Sequence, residues 1–195
     1  RHDVERMKVN PQVVSYEAFA KDENTTVNAK ALYPYEVVQK AIDAMGGFSY
    51  WGRSKDVALD DTNRLMVNKY WANLKDYFDG ATLNALPVID TSGSMWGLPI
   101  HVAISLGLYC AERNRGPFAD HYISFSSRPQ LIRTEGVDFC DKVKRIYETN
   151  LCENTNIEAT FDLILNTAIE NNLSSDELPE NIIVISDMEF DAARG

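Results

Sequence analysis

Two apolar runs constrain this chain more than anything else in it. Leu83–Asp90 (LNALPVID) and Asn181–Ser186 (NIIVIS) read as strands, and each delivers an aspartate: Asp90 closes the first and Asp187 follows the second. A continuous apolar run such as NIIVIS is what a strand buried on both faces requires. Between the two runs the rhythm alternates. Pro99 presets the first turn of a helix, and Ile100, Ala103, Ile104, Gly107, Leu108 and Ala111 recur on one face at helical spacing. Ala119–Ser126 reads as a strand and Gln130–Arg133 as a second, paired to it as a hairpin. Val137–Tyr147 is amphipathic through Cys140, Val143, Ile146 and Tyr147. Ile157–Ile169 is a further helix with Phe161, Ile164, Leu165 and Ala168 on one side. Alternating strands and helices predict an α/β fold, doubly wound, with a mostly parallel sheet flanked by helices. Ligands of such sheets bind beyond the carboxyl ends of the strands, where the strand order reverses. If the two aspartate-terminated strands are neighbours, both carboxylates stand at that edge.

The upstream part reads differently. Tyr33-Pro34-Tyr35 leads into a helix over Glu36–Met45, stopped by Gly46-Gly47. Phe48–Asp60 reads as a loop. A second helix spans Asp61–Phe78, with Val67, Trp71, Leu74 and Phe78 on one face, and Asp79-Gly80 ends it. The expected division is a helical N-terminal extension over 1–80, part of a larger helical domain, and an α/β domain over 81–195. The chain opens on Arg1, not Met, and the α/β part stops soon after Asp187. We therefore expect a fragment.

Composition narrows the function classes. With 195 residues, 45% of them hydrophobic and 25% charged, the chain can bury a real core as an ordinary globular protein. A net charge of −10 argues against a general phosphate-backbone binder, which needs clustered Lys and Arg. Three cysteines without regular spacing make neither a disulfide framework nor a zinc site. Cys110 and Cys140 sit in apolar surroundings and read as buried thiols, which suits a reducing, cytoplasmic location. No apolar run reaches membrane-spanning length, so no membrane association is expected.

The chemistry concentrates in Asp90-Thr91-Ser92-Gly93-Ser94, which leaves a buried strand and enters a helix almost at once. In an extended turn, residues two apart point the same way, so Asp90, Ser92 and Ser94 can converge while Gly93 permits the bend. One carboxylate and two hydroxyls form an all-oxygen donor set of the kind hard divalent cations take. Asp187 supplies a second negative charge. A further donor is expected from the polar segment Cys152–Phe161, with Thr155 as the candidate and Thr160 as the weaker one, inside a helix.

Asp-Xaa-Ser-Xaa-Ser after an apolar strand resembles the metal-ion-dependent adhesion site (MIDAS) of von Willebrand factor A-type (vWA) domains, whose sheet is Rossmann-like. Asp90, Ser92 and Ser94 match the first part of that motif, Thr155 the threonine of a later loop, and Asp187 the aspartate after an apolar strand. Asn154 and Asn156 depart from the Gly-Thr-Asp often found there, and Met188 replaces the usual glycine after the last aspartate. The stretches DTSGSMWGLPIHVAISLGLYCAE, FSSRPQL and ISDMEFD, with NKYWANLKDYF upstream, resemble an uncharacterised family in which this module follows a helical region. That arrangement is similar to the Ro-type RNA-binding (TROVE) proteins, and the resemblance implies that 81–195 is a vWA-like domain truncated at its C-terminal side.

The resemblance implies a binding module, not an enzyme. Mg²⁺, or Mn²⁺ or Ca²⁺, would sit on Asp90, Ser92, Ser94, Thr155 and Asp187, and an acidic residue of a protein partner would complete its coordination. Trp96, Asn154, Asn156 and Glu189 are the candidate partner-contacting residues. Trp96 reads equally as an aromatic packed onto the helical part. Two alternatives stand beside this reading: a Ro-like ribonucleoprotein component that binds RNA, and a metal-dependent hydrolase. The second lacks a general base near the cation. No nucleophile elbow, phosphate loop or Ser-His-Asp order is present, and His101 and His121 read as structural.

Overall fold

The computed structural model describes residues 15–47, 61–81, 83–134, 136, 138–149 and 156–187. Its elements in chain order are α1 (Tyr16–Lys21), α2 (Pro34–Ala44), α3 (Asp61–Ala72), β1 (Ala85–Asp90), α4 (Leu98–Arg113), β2 (His121–Phe125), β3 (Gln130–Arg133), α5 (Phe139–Thr149), α6 (Ile157–Glu170) and β4 (Asn181–Ile185). Single 3₁₀ turns cover Gly93–Met95 and Ser175–Glu177.

The strands lie in the order β3-β2-β1-β4. β1 is parallel to β2 on one side and to β4 on the other, and β3 runs antiparallel to β2. This is the expected mostly parallel α/β sheet. The chain moves outward from β1 to β2 and β3, then returns across β1 to add β4. The order therefore reverses between β1 and β4, and the carboxyl ends of those two strands form the switch point.

Period-two alternation sorts the strand residues between two cores. Leu86, Val88, Ile123 and Phe125 pack on one face with Ile164 of α6, and Ile182 and Val184 border them. Ile89 and Tyr122 face the other way, into a larger core built with Val37, Val38 and Ala41 of α2, Val67 and Trp71 of α3, Ile104 and Leu108 of α4, and Val143 and Ile146 of α5. The N-terminal helices are thus set directly into the core of the sheet. Trp71 stacks on Phe139 with ring centroids 4.0 Å apart, and its Nε1 donates to Glu112 Oε2 at 2.7 Å. α4 lies so close on β1 that a Cβ at Gly107 would stand 2.3 Å from Ile89 Cδ1.

Several expectations need correction. The helix expected over Asp61–Phe78 ends at Ala72, because Asp76 turns the chain by accepting from the backbone N–H of Phe78 (3.1 Å) and Gly80 (3.0 Å). Val137–Tyr147 becomes Phe139–Thr149, since Asp138 caps it by accepting from Asp141 N at 3.0 Å. The short helix α1, capped by Ser15 Oγ, was not expected. The first and second strands are shorter than read: Leu83 makes only an isolated bridge to Asn114. β4 is not buried on both faces; Ile182–Ile185 are half-buried because this strand is at the sheet's edge among the described residues. On α6, Ile164 and Ala168 are buried as expected, but Phe161 and Leu165 are exposed. The loop read at Phe48–Asp60 lies outside the described residues. No helix among those described is long and apolar enough to cross a membrane.

Candidate metal site at the carboxyl edge of the sheet

β1 carries its aspartate to the switch point inside a fully buried strand, Ala-Leu-Pro-Val-Ile-Asp. Asp90 is only 1% exposed. Its Oδ1 accepts from the backbone N–H of Ser92 at 2.8 Å, and its Oδ2 accepts from Ser186 Oγ at 2.5 Å. Both donors are neutral. Among the described residues no Lys, Arg or His forms an ion pair with Asp90.

The Ser92 N–H bond to Asp90 is a local turn of the Asx type, and it explains a correction to the expected loop. Asp90-Thr91-Ser92-Gly93-Ser94 is not extended. The carboxylate draws the backbone round at Ser92, and a 3₁₀ turn over Gly93–Met95 follows, with Met95 N donating to Ser92 O at 3.1 Å. The hydroxyls of Ser92 and Ser94 still meet, 3.2 Å apart. The bend into α4 falls on a different glycine from the one expected. Gly97 takes φ +93° just before Leu98, a backbone region that side-chain-bearing residues rarely adopt.

Ser186 is the residue that sequence reasoning missed. Aligning the two strands by their aspartates pairs Asp90 with Asp187. The observed register pairs Ile89 with Ile185, so Ser186 is the residue one step beyond, beside Asp90. Asp187 is exposed, on the rim of an open pocket of about 280 Å³. That pocket is lined by Met95, Leu98, Pro99, Val102, Ile185, Ser186 and Asp187, so the edge brings together the loop after β1 and the segment after β4.

Of the remaining candidates, Thr155, Asn154 and Glu189 lie outside the described residues. Asn156 caps α6, its Oδ1 accepting from Ala159 N at 3.0 Å, and its own N–H reaches Ser126 O at 3.3 Å just past β2. The start of α6 is thereby held at the same edge of the sheet. Thr160 is buried in α6 and donates to Asn156 O at 3.0 Å, a helical hydroxyl turned back on its own backbone. Trp96 is 41% exposed after the 3₁₀ turn. His101 packs beside Tyr147 of α5, and burial lowers its pKa against the pull of Asp43. His121 Nδ1 lies 2.7 Å from Ala119 O. No group of three or more His, Cys, Asp or Glu side chains converges among the described residues. The groups at Asp90 are one backbone N–H, from Ser92, and one hydroxyl, from Ser186, with the Ser92 and Ser94 hydroxyls paired in the loop that follows.

The family model described as a domain of unknown function (DUF7788) matches residues 84–195, from the start of β1 onward. The chain belongs to this family. It is also 30% identical, over 167 residues, to an uncharacterized protein of Acanthamoeba polyphaga mimivirus. That match covers 85% of this chain and 27% of the viral protein, so the chain spans about a quarter of the relative's length. No solved structure matches. The DUF7788 region holds all four of the described strands and every described donor at the edge, while α1 to α3 precede it.

Proposed function

We propose that this DUF7788 chain is a divalent-cation-dependent binding module of the vWA type, with its cation site at the β1–β4 switch point. The observation that carries the reading is Asp90: a carboxylate 1% exposed, held by two neutral donors, with no basic residue paired to it among the described residues. A buried charge without a counter-charge is costly. A hard cation would offset it, and the neighbouring donors are the oxygens such cations take. The residues present therefore fit the group.

Asp90, Ser92 and Ser94 would hold the cation, with Asp187 and Thr155 completing the set. When bound there, Mg²⁺ or Mn²⁺ supplies the positive charge that a carboxylate of a protein partner needs. The chain's own groups do the rest. Ser92 N–H and Ser186 Oγ fix the Asp90 carboxylate so that it cannot rotate away. The turn over Gly93–Met95 keeps the two serine hydroxyls adjacent. Trp96 and the apolar pocket beside Leu98 give a partner a surface next to the charge.

Isothermal titration with Mg²⁺, Mn²⁺ and Ca²⁺ tests this on the chain and on Asp90→Asn. Saturable binding of one ion, lost in the variant, is the expected result. Absence of ion-dependent heat at millimolar concentration, or equal heat from the variant, overturns the reading.

A further inference from the structure

The charge of this chain is not spread evenly. Residues 1–145 carry as many acidic as basic side chains, eighteen of each. Residues 146–193 carry eleven carboxylates and no Lys or Arg. α6 lies inside that stretch, and its surface has an unusual order. Ile157, Phe161, Leu165 and Ile169 form one continuous i+4 row and are 47%, 50%, 53% and 73% exposed. The next row, displaced by one residue, is Glu158, Asp162, Asn166 and Glu170, all exposed. An apolar ridge thus runs the length of the helix beside an acidic one.

Neither row serves α6 itself. An exposed helix is ordinarily supported by Glu–Lys pairs at i,i+4, but α6 has no basic residue. Glu158 and Asp162 are instead like charges at that spacing, and Glu170 sits at the negative end of the helix dipole. Four large apolar side chains in a row on a helix surface are the mark of an interaction face. An i+4 row is also the ridge that enters the groove of a second helix.

We propose that α6 is a docking surface for a basic amphipathic helix of another protein. The partner's apolar face would pack on Ile157, Phe161, Leu165 and Ile169, and its Lys or Arg side chains would meet Glu158, Asp162 and Glu170. Charge complementarity selects this occupant over a second copy of the chain, whose own α6 would bring acidic residues against acidic residues. The ridge starts at the edge that carries the candidate cation site, but none of its four apolar residues is a proposed ligand, and the proposal stands whether or not that site binds metal.

The test uses a fluorescein-labelled amphipathic helical peptide with leucine on one face and lysine on the other. Anisotropy titrations with the 195-residue chain should saturate. Affinity should fall about tenfold or more in Phe161→Ser/Leu165→Ser, and again in Glu158→Lys/Asp162→Lys. The altered positions are exposed, so far-UV circular dichroism should remain that of the parent. A scrambled peptide and a leucine–glutamate peptide should bind weakly. Equal binding of the scrambled peptide, unchanged affinity in the serine variant, or no saturable binding overturns the proposal. So does a parent dimer in analytical ultracentrifugation that becomes monomeric in the serine variant, since a second copy would then cover the ridge.

Discussion

At the scale of single residues, Asp90 and Gly107 show two different ways in which β1 constrains the molecule. Asp90→Asn keeps the shape, loses a buried charge, and forfeits one of two accepted hydrogen bonds. These effects oppose one another, so without metal we expect stability within about 1 kcal/mol of the parent. With Mg²⁺ at about a hundredfold its dissociation constant, the parent should gain about 2.7 kcal/mol and the variant nothing. Thermal melts with and without Mg²⁺ read both outcomes. Ser186→Ala removes the donor to Asp90 Oδ2. It should weaken metal binding by about ten- to a hundredfold, as loss of a group orienting a ligand does, and titration calorimetry checks it. Gly107 is a packing constraint. An added methyl would meet Ile89 Cδ1 and Cγ1, and Ile89 is fully buried, so it must shift within a packed core. Gly107→Ala should cost about 1–3 kcal/mol in urea unfolding, although alanine is the better helix former.

At the scale of elements, α3 and α5 are joined by a connected polar cluster. Arg64 pairs with both Asp138 and Asp141, and Asn68 donates to Asp138 while accepting from Phe139 N at 3.1 Å. Burial raises the Asp138 carboxyl, but the hydrogen bonds from Arg64, Asn68 and Asp141 N outweigh it and hold it below the usual carboxylate range. A depressed folded pKa gives stability that is present above the unfolded value, near ~4, and is lost as pH falls through the folded value. Asp138→Ala should therefore cost about 2 kcal/mol at neutral pH, less than a fully buried pair because both side chains keep some exposure. The gap between variant and parent urea midpoints should close below about pH 4. None of this joint was legible in the sequence, because its partners lie about seventy residues apart. What was legible followed local periodicity. The face of α4 from Ile100 to Ala111 and that of α5 through Cys140, Val143, Ile146 and Tyr147 are buried as read. Periodicity failed on α6, since Phe161 and Leu165 are as apolar as core residues. It failed on β4, where an apolar run does not reveal a strand's place in the sheet. At the candidate site, spacing singled out Asp90, Ser92 and Ser94, but the approach of Ser186 to Asp90 needed the register.

At the scale of the whole molecule, the N-terminal helices and the sheet share one core, with Val37, Trp71, Ile89, Ile104 and Val143 in the same cluster. Unfolding should therefore be a single transition, with tryptophan fluorescence and far-UV circular dichroism coincident in urea. Separate midpoints would mean that the helical part folds apart from the sheet. The two buried thiols report on the same cooperativity. Burial raises the Cys110 thiol and pushes Cys140 up to about 12, so at neutral pH neither should be alkylated until the core opens. Iodoacetamide labelling followed by peptide mass spectrometry reads this directly. The bond from Ser186 to Asp90 spans 96 positions of chain, and β1 sits between one strand made soon after it and another made much later. During synthesis β1 gains its β2 neighbour early, while its other flank and one oxygen of Asp90 wait for residues 181–186 to emerge. The Asp90–Ser186 pair is therefore a late event of synthesis: a chain cut short of residue 186 cannot form it, and one oxygen of Asp90 then lacks its donor.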